Sequence, residues 1–209
     1  MINSTTPGFR ATVAALGFAG FILSSTAWSQ TSSSVRIRGT IEQVNGETLH
    51  VKTRSGADAA VQLATDATVT GLVEASWADI KPGSYVGTAA VEQPTGNLKS
   101  IEVQVFPESM RGVGEGHREY DLGPKSSMTN GTVGQVVQAG DGRTLTIMYQ
   151  GKEKTVVVPP DAPIVTYVPS DRTDLAPGAK VIVTAMKRPD GMLQASRVLV
   201  GKNGLEPPM

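Results

Sequence analysis

DIKPGSYVGTAAVEQPTGNLKSIEVQV, residues 79–105, returns 95 positions later as DLAPGAKVIVTAMKRPDGMLQASRVLV, residues 174–200. In both copies an Asp and an apolar anchor lead into a Pro-Gly pair, Pro82-Gly83 and Pro177-Gly178. That pair suits the central positions of a type II turn. A strand-like run follows in each, then a Gly turn at Gly96 or Gly191, then a second run ending Val103-Gln-Val105 or Val198-Leu-Val200. Outward from this block the same grammar continues. Gly39-Thr40-Ile41 is echoed by Gly131-Thr132-Val133, Asn45-Gly46 by Asp141-Gly142, and Leu49-His-Val51 by Leu145-Thr-Ile147. Asp66-Ala67 is echoed by Asp161-Ala162. Chance turns do not keep order over so many anchors, so the chain reads as an internal duplication.

Each copy offers five or six short strands separated by turn signals. Val35 to Ile41 alternates apolar and polar residues as a half-buried strand does. Asn45-Gly46 is a hairpin turn, since both residues tolerate positive φ. Charged residues make up 18% of the chain and aromatics 5%, while 23 glycines and 13 prolines imply many turns. These figures exclude a helical bundle and favour an all-β protein. Closing such a sheet removes its edges, and at this length a five-stranded Greek-key barrel of the OB type is the economical choice. We therefore expect two tandem OB-like barrels; the rival is one larger sandwich sharing strands from both halves.

The N-terminus carries Arg10, then the apolar, small-residue run from Ala11 to Thr26, then Ala27-Trp28-Ser29. A positive start, a short apolar run and an A-x-S site form a secretory signal peptide, cut before Gln30. The run is short for a membrane span, which needs about 20 apolar residues. The chain left after cleavage has a net charge close to zero and no cysteine, so disulfides, Cys-ligated zinc and a thiol nucleophile are excluded. The expected organisation is a signal peptide (1–29), a flexible lead-in (30–34), a first barrel (35–106), a charged Gly-rich connector (107–130), a second barrel (131–200) and a flexible tail (201–209).

The repeated pattern G-T-[IV]-x-x-V, G-x-T-L-x-[VI], D-[IL]-x-P-G-x-x-V, G-x-L-x-[AS]-x-x-V resembles the DUF5666 domain. Gly39, Val44, Thr48, Leu49, Asp79, Gly83, Val86, Gly96, Leu98 and Val103 fit it in the first copy. Gly131, Val136, Thr144, Leu145, Asp174, Gly178, Val181, Gly191, Leu193 and Val198 fit it in the second. The resemblance covers both repeats and implies a small OB-like domain of exported bacterial proteins, often in tandem. It implies no activity.

The connector holds the candidate chemistry. Glu115, His117, Glu119 and Asp121 are spaced by two, which places all four on one face of an extended chain. One imidazole and three carboxylates are ligands for a divalent ion. With Met110 and Met128 the set also suits Cu(I). Neighbours on one face of a strand lie about 6.8 Å apart, so a shared ion needs a bend, for which Gly112, Gly114 and Gly116 are placed. Without a metal, Arg111 and Arg118 pair with the acids and the connector is a solvated link. As a ligand site it comprises Arg111, Glu115, His117, Arg118, Glu119, Tyr120 and Asp121.

Other chemistries lack their residues. Nucleic-acid binding needs a basic groove with stacking aromatics, and this chain is near neutral. Neither histidine has a G-x-S-x-G elbow beside it. The glycines of Arg111 to Gly116 fit neither G-x-G-x-x-G nor a P-loop. Asp79 and Asp174 precede turns, where capping turn amides is the ordinary job. The expectation is an exported, periplasmic, non-catalytic binding module. It needs no cofactor and no nucleic acid and has no membrane span after cleavage. Its partner is an envelope protein or a small ligand held where the two barrels meet, beneath or within Arg111 to Asp121. The alternatives are a metal-binding accessory protein and, more weakly, a carboxylate-dependent hydrolase. Intact mass of the protein recovered from the periplasm should place its first residue at Gln30; a mass that retains residues 1–29 refutes the cleavage.

Overall fold

The turn signals cut the chain into short extended runs. The computed structural model describes Met1, Asn3, residues 34–140 and residues 142–209, and builds them into an all-β protein. The strands are β1 (Ser34–Asn45), β2 (Thr48–Thr53), β3 (Asp58–Glu74), β4 (Tyr85–Glu92), β5 (Leu98–Val105) and β6 (Gly116–Glu119). They continue with β7 (Ser126–Ala139), β8 (Gly142–Tyr149), β9 (Lys152–Val158), β10 (Ile164–Pro169), β11 (Lys180–Lys187) and β12 (Leu193–Gly201). Apart from Met1 and Asn3, the expected signal peptide and the lead-in up to residue 33 lie outside the described residues, as does Asp141. No described helix is long and apolar enough to cross a membrane.

Five strands close into a barrel. β1 pairs β2 and β2 pairs β3, both antiparallel. β3 runs parallel to β12, from Val61↔Leu193 to Leu72↔Gly201. β12 pairs β11, and β11 returns to β1 between Ser34↔Met186 and Thr40↔Lys180. The other strands follow the same scheme. β7 pairs β8, β8 pairs β9, β4 lies between β7 and β5, and β5 meets β9 in parallel at Leu98↔Val156 and Lys99↔Val157. β10 bridges the two sets, antiparallel to the end of β3 and parallel to the end of β5.

The distribution of strands differs from the expected one. Residues 35–106 do not close on themselves: β1, β2 and β3 close with β11 and β12, while β4 and β5 join β7, β8 and β9. The halves share strands, as in the rival arrangement, but the shared strands close a barrel. Each hydrophobic core therefore mixes both halves. Ile41, Leu49, Val51 and Val61 pack with Val181, Val183, Val198 and Val200, whereas Val86, Leu98 and Val103 pack with Val133, Leu145, Ile147 and Val156.

The motif spacings have a structural cause. Ile41-x-x-Val44 and Val133-x-x-Val136 step by three where a strand alternates by two, and the ladder shifts register between Ile41 and Gln43 and between Val133 and Gln135. The same happens in Leu98-x-Ser100-x-x-Val103 and Leu193-x-Ala195-x-x-Val198, where the ladder skips Ile101 and Ser196. A bulge returns the strand to its original face one residue late. After it Val103 and Val198 face the cores, while Glu102, Gln104, Arg197 and Leu199 face outward from them.

Gly39 and Gly131 are fixed by close approach. A Cβ at Gly39 would lie 2.0 Å from the Lys52 carbonyl oxygen, and one at Gly131 would lie 2.3 Å from that of Met148. Asp79 and Asp174 cap, but not the Pro-Gly turns. Each ends a short 3-10 turn and accepts from the backbone N–H of its N-cap, Ser76 or Asp171, which completes a capping box.

Two boundary expectations are corrected. The tail was expected loose, yet Pro207 and Met209 are buried. Arg54 donates to the Pro207 carbonyl and pairs with Glu206 at 2.8 Å, and Lys180 reaches the same carboxylate at 3.1 Å. The connector was expected to run to residue 130, yet Ser126 to Asn130 form the buried start of β7 and pair with β4. Ser-Ser-Met-Thr-Asn carries no hydrophobic alternation, so its burial leaves no periodic signal.

Because β1–β3 depend on β11 and β12, a fragment of residues 30–106 should show no cooperative thermal transition alone. Co-expression with residues 107–209 should restore one, at one-to-one stoichiometry. A cooperative transition in the isolated fragment would mean that the halves can close on themselves.

Candidate functional site

A cavity of about 390 Å³ lies where the outward faces of the two strand sets meet, under the connector. Both sets and the connector contribute to its wall. β1 supplies Arg36, β3 Thr68 and Thr70, β11 Ile182 and Thr184, and β12 Arg197 and Leu199. From the other set come Gln104 of β5, Phe106, and Met128 and Asn130 of β7. Tyr167 of β10 and Met209 of the tail complete the base, and Met110, Val113, Gly114, Arg118 and Tyr120 form the covering segment.

Alternation in β6 decides which connector residues reach the cavity. Arg118 lies opposite Met128 and His117 opposite Thr129. Arg118 and Tyr120 therefore share the cavity face, and His117 and Glu119 share the other. His117 bonds Thr129 Oγ1 through Nδ1 at 2.8 Å and stacks near Tyr149. Desolvation, then Lys154 and Arg118, hold its pKa below the usual imidazole range. Glu115 accepts from the Gln150 backbone N–H at 2.8 Å. Arg111 pairs with Glu108 and donates to the Gly83 carbonyl. Asp121 receives a two-pronged contact from Arg38, at 2.7 and 3.1 Å, and a longer one from Arg36 at 3.4 Å. Burial works against the Asp121 charge, but the two guanidiniums outweigh it and hold its pKa low.

Of the sequence-derived ligand set, Arg118 and Tyr120 line the cavity, while Arg111, Glu115, His117, Glu119 and Asp121 do not. The proposed metal ligands are likewise separated: Glu115, His117 and Asp121 each engage a different partner, and Met110 and Met128 stand in the cavity wall. Among the described residues no group of three or more His, Asp or Glu is placed to hold one ion. The spacing of about 6.8 Å between i and i+2 along extended β6 keeps neighbouring ligands apart. Reading the sequence did not single out Arg36, Gln104, Phe106, Tyr167 or Arg197. All except Arg36 and Tyr167 come after a strand bulge or a strand end, where simple alternation misassigns the face.

The covering segment is pinned at several points. Tyr85 Oη and Asn130 Nδ2 both donate to the Val113 carbonyl, at 3.2 and 3.1 Å. Arg118 Nη1 donates to the Gly114 carbonyl at 2.9 Å. Tyr85, Phe106 and Tyr167 form a run of rings with centroids 5.3 and 4.9 Å apart. Gly87 makes room for this wall, since a Cβ there would lie 2.7 Å from Asn130 Oδ1 and 3.0 Å from the Phe106 ring.

Behind the cavity sits a buried polar seam. Glu102 is fully buried, and neither carboxylate oxygen has a partner in hydrogen-bonding geometry. Desolvation pushes its pKa up to about 8, against the opposing pulls of Gln104, Arg54, the Met209 backbone N–H and Arg38. Tyr167 Oη donates to Gln104 Oε1, which leaves the Gln104 amide nitrogen without a partner, as is Asn130 Oδ1. Desolvation, then Glu102 and Tyr120, also raise the Tyr167 pKa. A second recess, larger and more open, lies over the β8–β9 hairpin beside Glu115 and Tyr149. It has no comparable buried polar groups.

Glu102 predicts a pH dependence with a definite sign. Its folded pKa lies above the unfolded value, so its contribution to stability is full below about pH 4.5 and is lost as the pH rises towards 8. The limiting slope is about 1.4 kcal/mol per pH unit. The melting temperature of the wild type should fall across that window, and Glu102→Gln should flatten the fall. An unchanged slope in the variant would remove Glu102 as its source.

Compared with family models, with curated proteins and with solved structures, the chain matches none.

Proposed function

We propose that this protein is a non-catalytic binding module whose small ligand sits in the cavity under the connector. The observation that carries this reading is the cavity's construction. It lies between both strand sets, is roofed by the connector, and is lined by aromatic and aliphatic side chains together with threonines, two amides and three guanidiniums. Binding sites for small molecules are built this way, with volumes of about 300–1,000 Å³. Buried polar atoms without partners gather beside it, and such atoms concentrate at functional sites. The lining holds no carboxylate pair and no nucleophile with an adjacent base, which favours binding over hydrolysis.

The wider setting belongs to the same reading. The strand order β1-β2-β3-β12-β11, with a parallel β3–β12 contact, supports an OB-like barrel, and the repeated motifs support a duplication whose second hairpins have been exchanged. The resemblance to DUF5666 and the N-terminal signal-like segment support export to the periplasm.

Thermal unfolding with a panel of neutral, cationic and anionic small organic molecules tests the binding reading. At a hundred times its dissociation constant a ligand stabilises the folded state by about 2.7 kcal/mol, a shift of several degrees. At least one class should raise the melting temperature of the wild type but not of Leu199→Trp, which fills the cavity. No shift with any class, or the same shift in the filled variant, would overturn it.

A further inference from the structure

We propose that the ligand of this cavity is a small amphipathic anion, with one carboxylate, sulfonate or phosphate head and an apolar or aromatic body. This rests on the binding reading above and adds the chemical class. The wall contains three guanidiniums, from Arg36, Arg118 and Arg197, and no carboxylate. Arg36 is already committed, with its guanidinium 4.7 Å from the centroid of the Tyr120 ring and in contact with Asp121. Arg118 and Arg197 are exposed, and among the described residues neither has a carboxylate within ion-pair distance. Two guanidiniums without a carboxylate partner, in a wall whose other polar groups are neutral apart from Arg36, favour an anion and oppose a cation. The guanidinium fork also matches the oxygens of a carboxylate or phosphate.

The rest of the wall selects the body. Phe106, Met128 and Ile182 are buried, and with Tyr167 and Leu199 they give an apolar surface. A sugar or another fully polar anion would leave that surface without a partner. At about 390 Å³ the cavity admits a short chain or one or two rings, not a whole lipid.

The test is calorimetric titration of the chain from Gln30 with octanoate, octanol and octylamine, probes that share a body and differ in the head. Octanoate should bind at one site per chain, and both other probes at least tenfold more weakly. Replacing Arg118 and Arg197 together by Ala should weaken octanoate at least tenfold and leave octanol unchanged; Arg197→Ala alone, which removes no hydrogen bond to the roof, should weaken octanoate severalfold at an unchanged melting temperature. If octanol or octylamine binds as tightly as octanoate, or if the double variant keeps full octanoate affinity, the anion assignment falls while the binding reading stands. If no probe binds, the assignment falls, and the cavity-filling comparison decides the binding reading separately. Co-sedimentation with phosphatidylglycerol vesicles distinguishes the source of the head. Octanoate binding without capture assigns a free acid and supports the proposal; capture without octanoate binding would assign a whole anionic lipid and overturn it.

Discussion

The parallel contact between β3 and β12 is the constraint on which the rest depends. Three antiparallel strands, β1 to β3, leave two open edges, and an open edge exposes a row of unpaired backbone groups. The β11–β12 hairpin covers both at once, β11 on β1 and β12 on β3. Its loss would open the barrel and uncover Ile41, Leu49, Val51 and Val61 together. The β4–β5 hairpin does the same for β7 to β9. Two hairpins that pair across the halves of the chain tie distant residues into one folding unit. Such long-range pairing slows folding, because loop closure precedes the contacts that reward it.

This pairing across the halves also determines what faces what. The bulges in β5 and β12 turn Glu102, Gln104, Arg197 and Leu199 away from the cores, and the two outer faces meet at a seam. Part of the seam is apolar: Ala89, Met128, Ile182 and Met209 pack there with Tyr120 and Leu199. Part is polar and incompletely satisfied, at Glu102, Gln104 and Asn130. A buried carboxyl without a partner costs stability, and replacing such groups by apolar ones is often neutral or better. Their presence beside the cavity supports the proposed binding reading.

The connector is a roof rather than a link. Its strand β6 lies on β7, its Asp121 is gripped by Arg38, and its Val113 carbonyl takes two hydrogen bonds from the walls. Exposed ion pairs contribute little singly, about 0–1 kcal/mol each. The Arg38–Asp121 contact is of the two-pronged kind, and Arg38 is mostly buried, so it positions the roof as well as stabilising it. Tyr120, stacked under Arg36, couples the roof to β1 in the same place.

The sequence by itself determined the all-β class, the main turns and most of the strands, though not β6 or the start of β7. Gly83 and Gly178 take the positive φ that the Pro-Gly signal demands, and the apolar positions of the repeated motifs are the cores. Even the bulges were written there, as spacings of three in place of two. It also drew attention to Arg111 to Asp121, where charge and glycine concentrate, and part of that stretch covers the cavity. Only the tertiary structure decided which hairpin closes which barrel. Two halves with matching motifs offer nearly the same apolar pattern to either partner, so local periodicity cannot choose between pairing within a half and pairing across halves. The same ambiguity hid Glu102, Arg197 and the docked tail. Their burial or exposure follows from which outer faces meet, and that is a property of the closed chain rather than of any stretch of it.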